Sequence, residues 1–317
     1  MSTLGSESLH ADSPGPSEFP SPALGSEDSA SRLRDSFLAC RAITRRAKSS
    51  FPLAFLLLPR EKRQAMDALY AFMRITDDLA DDDGDLHEKR ARLRDWRSSL
   101  HAALDGDSPS PVLPAVVDTV RRFHVSLDHL EAVIDGVEMD LEPVRFATFH
   151  DLYPYLFRVA SAVGLACLPV WGFRDGVTSD DVREPAEAAG IAFQLTNILR
   201  DLGEDLNRGR VYLPQEDLDR FDCPPEAWRD PQCRARFRDL MAFQIERARQ
   251  YYQKSEPLAK LLSRDGRGIY HAMSRTYREL LEAVAASGEA VLTQRVRLSK
   301  WRKLRALISA WPARWGW

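Results

Sequence analysis

The sequence predicts an all-α fold: one helical domain over residues 31–317, behind a disordered leader over residues 1–30. Three observations carry that prediction. From Ser31 onward, stretches such as "SRLRDSFLACRAITRRA", "REKRQAMDALYAFMRIT" and "LMAFQIERARQYYQKSEPLAKLL" repeat apolar residues at i, i+3, i+4 and i+7. No stretch alternates Val, Ile or Thr between hairpin turns, as strands would. Hydrophobic residues make up 44% and charged residues 29% of the 317, enough apolar side chain for a sizeable core.

Residues 1–30 are rich in Ser, Pro, Gly and acids, a composition that buries too little apolar surface to fold. They carry no basic region followed by an apolar one, so no secretory signal is expected. The apolar patch "FPLAFLLLP", Phe51 to Pro59, is far shorter than the ~20 residues of a membrane span. Net charge of −3 and a pI near 6.2 give no reason to expect nucleic acid as a partner. Cys40, Cys167, Cys223 and Cys233 lack CxxC spacing, which argues against a zinc site or disulfide framework and suits a cytoplasmic chain.

Pro59 fits a helix start, where its missing N–H is harmless. On a 3.6 period from there, Met66, Tyr70, Met73 with Arg74, Asp77 and Asp81 share one face. The apolar stripe that should face a core turns acidic while still pointing inward. Carboxylates at i and i+4 offer the hard oxygen ligands that Mg2+ takes together with water and phosphate oxygens. Asp82, Asp83 and Asp85 read as a solvated helix end. An EF-hand loop fails: glycine at its sixth position means Gly84, which puts Leu79 first and Arg90 twelfth.

Helix breaks are expected at "DGDSPSP", "WGFRDGVTSDD", "RFDCPPEAWRDP" and "SRDGRG", with "TSDD" capping the helix that follows it. That helix runs into "GIAFQLTNILRDLGEDLNRGRVYLP", where Asn197, Asp201 and Asp205 recur every four residues. Toward the N-terminus the same face continues through Phe193, Gly190 and Ala186. Two such helices facing each other would cage several divalent cations. Arg74, Arg200, Arg208 and Arg210 flank the two motifs, and "RAITRRAKSSF" adds Arg45, Lys48, Ser49 and Ser50. Guanidinium forks and hydroxyls suit phosphate oxygens. Acids for metal and bases for phosphate, above an apolar hollow, suggest a diphosphate on a greasy tail.

At the C-terminus "RLSKWRKLRALISAWPARWGW" places Trp301, Leu304, Ile308 and Trp311 on one face, expected to be a last core-packing stripe. Peripheral contact with anionic lipid at the inner face of a membrane is the lesser alternative.

The chain resembles the squalene and phytoene synthases, which join two prenyl diphosphates head to head. The likeness runs from about Arg41 to Leu304 through "SSFPLAFLLLPREKRQAMDALYAFMRITDDLADD", "IDGVEMDL", "LYPYLFRVASAVG", "FQLTNILRDLGEDLNRGRVYLP" and "VLTQRVRLSKWRKL", in the family's order. It implies an isoprenoid (terpenoid) synthase helical bundle around a central cavity, dependence on Mg2+ or Mn2+, and prenyl diphosphate substrates. Asp77 and Asp81 resemble the first metal-binding pair; Asn197, Asp201 and Asp205 resemble the second set. Ser50, Arg74, Arg200, Arg210, Tyr277 and Arg295 match positions near the diphosphates. Phe51, Phe55, Tyr70 and Tyr155 match the prenyl pocket, and Tyr155 joins the four aspartates as a catalytic candidate. Many members read Ser-Lys-Ser-Phe where this chain has "KSSF", which leaves a lysine contact open.

The implied chemistry is loss of diphosphate to give an allylic cation, attack by the second double bond, and rearrangement of a cyclopropylcarbinyl diphosphate. The "SSF" form and "VASAVGLACLPVWGF" look more like bacterial presqualene diphosphate and squalene synthases. Two farnesyl diphosphates are therefore the expected substrates; the alternative is a phytoene synthase taking two geranylgeranyl diphosphates. NADPH enters only if the reaction proceeds to squalene, and downstream isoprenoid enzymes are candidate partners. A class I terpene cyclase and a non-enzymatic helical scaffold are the remaining readings; "RDLGEDLNRGRVYLP" argues against the cyclase.

Overall fold

The computed structural model of the chain describes residues 24–47, 51–108, 110–142 and 145–313. Its helices are α1 (Leu24–Arg46), α2 (Phe51–Ala54), α3 (Arg60–Asp81), α4 (Leu86–Leu104), α5 (Leu113–Phe123), α6 (Leu127–Met139) and α7 (Phe149–Leu156). They continue as α8 (Ala162–Trp171), α9 (Ser179–Asn207), α10 (Gln215–Arg220), α11 (Arg234–Lys254), α12 (Leu258–Leu261), α13 (Arg264–Ser287) and α14 (Lys300–Ala313). Among the described residues there is no strand, only a lone antiparallel bridge between Phe173 and Leu262.

Local chemistry sets most of the boundaries. Pro59 stands at the N-cap of α3, as its lost donor favours. Thr178 caps α9 by accepting from the Asp181 N–H, while the Asp181 carboxylate accepts from the Thr178 N–H at 2.8 Å. The same reciprocal box opens α4 with Asp85 and Glu88, and α7 with Thr148 and Asp151. The break expected at "SRDGRG" falls on its first residue: Ser263 caps α13, and Gly266 lies inside the helix. A Cβ on Gly266 would sit 3.1 Å from the Gly172 carbonyl oxygen, so the glycine serves close packing rather than a turn.

Two expectations are corrected, at α1 and at α14. α1 begins at Leu24, inside the stretch read as leader, where composition alone does not register a helix. α7 and α8 are joined by a π-helical segment, Phe157–Ser161, into a run over Phe149–Trp171 that is long and apolar enough to cross a membrane. That run is packed among α6 and α9 as a core helix. On α14, Trp301 and Ile308 are 79% and 64% exposed, while Ala306 and Ala310 are buried. Small residues let α14 approach α13 closely, so the alanine stripe docks and the bulky one faces out. The side chains of Leu304 and Trp311 lie outside the described part.

Buried residues fall into two main clusters. One joins α1, α3, α5, α6 and α8 through Leu69, Phe72, Leu113 and Ile134; the other joins α7, α9, α11 and α13 through Leu156, Leu199, Phe237 and Tyr252. Phe193 of α9 packs against both, and the hollow described next lies between them. Cys223 and Cys233, distant from any CxxC pattern, bring their sulfurs to 3.2 Å, both buried.

Candidate active site

A cavity of about 450 Å³ runs between α3, α6, α8, α9 and α13. Its apolar end is formed by Met66, Leu168, Trp171, Leu258 and Tyr270. At the other end stand Arg74, Asp77, Asp140 and Asn197. The polarity follows from helix direction. Along α3 the lining goes Met66, Tyr70, Met73, Asp77; along α9 it goes Ala186, Ala189, Gly190, Phe193, Asn197. α3 reaches the polar end with its C-terminal turns, where peptide dipoles are themselves negative, whereas α9 brings Asn197 there from nearly three turns before its end at Asn207. Carboxylates placed there call for cations.

Asp77 opens onto the cavity, so it meets solvent while protein surrounds it on the remaining sides. Burial pushes its carboxyl up to about 7; Arg74 opposes that, and Asp81, Asp78 and Asp140 add to it. Arg74 pairs with Asp78, one residue on, through Nε to Oδ2 at 3.2 Å. Asp205 is pushed up to about 6, by burial and then by Asp201, against Arg210 and Arg208. Asp81 does not line the cavity; its charge acts on Asp77 and Asp140 from the rim.

Asp201 is ion-paired twice. Arg200 beside it donates from Nε to Oδ1 at 2.8 Å. Arg295 reaches it from the far side, Nε to Oδ1 at 2.9 Å and Nη2 to Oδ2 at 3.1 Å, and also pairs with Glu204 at 3.1 Å. Two glycines of α9 make these approaches fit. A Cβ on Gly190 would lie 2.4 Å from Ser161 Cα of the π-helical segment. A Cβ on Gly203 would lie 2.4 Å from the Leu292 carbonyl oxygen, just before the chain carries Arg295 onto Asp201. Only glycine permits either contact.

Phe55 and Tyr70 meet edge to face at 6.2 Å between centroids, and Phe193 stacks on Tyr277 at 4.5 Å, all four lining the cavity. Aromatic faces attract positive charge, and the apolar walls exclude water. Tyr155 is 2% exposed and donates to Asp140. Burial and then the Asp140 carboxylate hold its hydroxyl well above the usual phenol range. Arg210 donates from Nη2 to the Asp140 carbonyl oxygen at 3.0 Å.

The structure thus gathers Asp77, Asn197, Arg74, Tyr70, Phe55, Tyr155 and Tyr277 around one hollow. Asp81, Asp201, Asp205, Arg200, Arg210 and Arg295 stand beyond its polar end. Ser50, with Lys48 and Ser49, lies outside the described residues, as does the side chain of Phe51. Asp140 was not singled out from sequence. It ends the stripe Val133, Val137, Asp140 at the close of α6, the same switch from apolar to acid seen on α3 and α9. Its charge acts on both Asp77 and Asp205, so the two acidic motifs converge around it.

Whether a divalent ion fits is answered by the donors. The set is hard oxygen throughout, and Asn197 Oδ1 is buried without a hydrogen-bond partner among the described residues. No three carboxylate, imidazole or thiol groups there converge on one point. Mg2+ ordinarily takes one or two protein carboxylates and completes its shell with water and substrate phosphate, and that pattern suits this arrangement.

Fold and cavity define the class: an all-α enzyme of the isoprenoid synthase type, built around a hollow that is apolar at one end and acidic at the other. A sequence model of squalene/phytoene synthases matches residues 44–302. The chain is 38% identical to the 15-cis-phytoene synthase of Synechococcus elongatus over 91% of this chain and 94% of that one. It is 35% identical to the chloroplastic phytoene synthase of Daucus carota, over 88% of this chain and 71% of that one. A crystal structure of a dehydrosqualene synthase in complex with ligand superposes with a TM-score of 0.80 at 29% identity, covering 92% of this chain and all of the other. The chain belongs to the squalene/phytoene synthase family and is a prenyltransferase.

Proposed function

We propose that the protein joins two geranylgeranyl diphosphates head to head and releases phytoene. The observation that carries this reading is the likeness to phytoene synthases along nearly the whole chain, at 38% and 35% identity. It replaces the farnesyl diphosphate expected from the short "SSF" and "VASAVGLACLPVWGF" stretches, which are a small part of the chain. Because the route to phytoene ends in proton loss, it needs no hydride, and NADPH has no part in it.

In this reading Asp77, Asp81, Asn197, Asp201 and Asp205 hold Mg2+ at the polar end of the cavity. The bound metal supplies positive charge to the departing diphosphate. Arg74, Arg200, Arg210 and Arg295 add guanidinium donors to the same leaving group, and Tyr277 lies beside them. The prenyl tails extend toward Trp171 and Leu258 along the aromatic wall. There Phe55, Tyr70 and Phe193 turn ring faces toward positive charge and keep water from trapping the cation. Arg200 and Arg295, which neutralise Asp201 here, would be available to donate to diphosphate if Asp201 held a divalent ion.

The test is product analysis of purified protein given geranylgeranyl or farnesyl diphosphate with Mg2+ and no reductant. Phytoene from the C20 substrate, at a kcat/KM well above that for any C30 product, is expected. A preference for the C15 substrate, or no hydrocarbon from either, overturns the proposal.

A further inference from the structure

The Asp140 carboxylate is bound by two phenols. Tyr155 Oη donates across both oxygens, at 3.0 Å to Oδ1 and 2.9 Å to Oδ2, and Tyr212 Oη donates to Oδ1 at 2.8 Å. The two rings stack with centroids 5.2 Å apart and planes 19° from parallel. Tyr155 lines the cavity, whereas Tyr212, 7% exposed, stands behind it. Asp78 and Asp201 each hold an arginine, but among the described residues no cation pairs with the Asp140 carboxylate. Arg210 donates to its main-chain oxygen and acts on the carboxylate through its charge, without a direct contact among the described residues. Burial raises the affinity of this carboxylate for a proton, while the two phenols and the more distant Arg210 charge oppose that. Asp140 and Tyr155 both line the cavity, and there the Tyr155 hydroxyl binds across the carboxylate.

Coupling two allylic diphosphates into a neutral polyene has to remove protons from carbon, and this inference rests on that proposed reaction. We propose that Asp140 is a positioning residue that accepts, through the Tyr155 hydroxyl, the proton lost from carbon during coupling. A C–H bond of the cationic intermediate breaks, and its electron pair forms the new carbon–carbon bond. The proton joins the Tyr155 oxygen as the phenolic proton of Tyr155 passes to an Asp140 oxygen. Tyr155 is left neutral and Asp140 becomes a carboxylic acid, which returns its proton to released diphosphate or water when the site opens. Tyr212, bound to the same oxygen, holds the carboxylate in line throughout.

Asp140→Asn keeps the shape and one acceptor oxygen but removes the base. With geranylgeranyl diphosphate and Mg2+, diphosphate released, phytoene made and prenyl alcohols formed are measured together. The wild-type chain is expected to release two diphosphates per phytoene. In Asp140→Asn, phytoene should fall by about 100-fold or more, the scale of a lost general base. Diphosphate release should fall far less, so the ratio rises well above two and alcohols from water-trapped cations appear. Phytoene within about threefold of wild type, or a fall in both products with the ratio still at two, overturns the proposal. If Asp140→Asn does not fold, Tyr155→Phe keeps the ring stack and removes the relay hydroxyl; an unchanged ratio there overturns it equally. A wild-type chain that makes no phytoene would fail the parent reading instead, and is seen in the same experiment.

Discussion

The guanidinium of Arg295 lies along the carboxylate of Asp201, with Nε 2.9 Å from Oδ1 and Nη2 3.1 Å from Oδ2. Together with Arg200, it occupies the charge that a divalent ion would need. Metal binding and the Arg295 contact therefore compete. In Arg295→Ala, Mg2+ should bind the substrate-free protein several-fold more tightly, read by titration calorimetry. Turnover should nevertheless drop about tenfold or more, since a charge-assisted hydrogen bond of ~1.5–3 kcal/mol to the diphosphate is lost. Unchanged metal affinity in the variant would show that Asp201 is not the shared partner.

The raised carboxyls make stability depend on pH in a definite direction. Asp77 titrates near 7 and Asp205 near 6 in the fold, both above the 3.8 of a free aspartate. Each contributes stability that is fully present below about pH 4 and is lost as pH rises through its folded value. Without divalent ions, the contribution of these two groups to Tm should decline between pH 4 and pH 8. Asp77→Asn should flatten part of that slope, and Mg2+ at pH 8 should recover Tm in the parent chain. A parent melt whose slope is the same as that of Asp77→Asn would contradict the assignment.

Asp77→Ala and Asp201→Ala each remove one proposed ligand, from a different helix. Both should reduce turnover by at least about 100-fold, the order of losing one stabilising group at a charged transition state. Far-UV circular dichroism should be unchanged, because neither side chain belongs to the apolar core. Activity within a few-fold of the parent in either variant would count against a metal site shared by α3 and α9.

Gly190→Ala drives a methyl group to 2.4 Å from Ser161 Cα. Overpacking of this kind costs about 1–3 kcal/mol, and it should push Asn197 away from the polar end of the cavity. Chemical denaturation would give the loss of stability, and a raised Mg2+ requirement would report the displacement. A variant as stable as the parent would mean that α9 and the π-helical segment can separate freely.

The two acidic motifs were legible because a 3.6 period puts Met66, Tyr70 and Asp77 on one face, and Gly190, Phe193 and Asn197 on another. Spacing of this sort survives folding unchanged. Asp140 was harder to see: a single acid at the end of an apolar stripe looks like any helix cap, and its value comes from tyrosines 15 and 72 residues away. The pairing of Arg295 with Asp201 depends on the close approach at Gly203, which no local pattern encodes. On α14, periodicity marked the stripe of Trp301 and Ile308 correctly but could not say that the alanine stripe would dock. Chain length is set by a whole cavity wall, so likeness along the whole chain weighs more on it than short segments do.

The central claim is that carboxylates of α3 and α9 share divalent ions on one diphosphate. A structure with Mn2+ and a non-ionisable thio analogue of geranylgeranyl diphosphate tests it most directly, using anomalous scattering to locate the metal. The account predicts manganese beside Asp77 and beside Asn197 and Asp201, all touching the same diphosphate, with Arg295 turned from Asp201 to its oxygens. Manganese confined to one helix, or a diphosphate bound away from both, would contradict it.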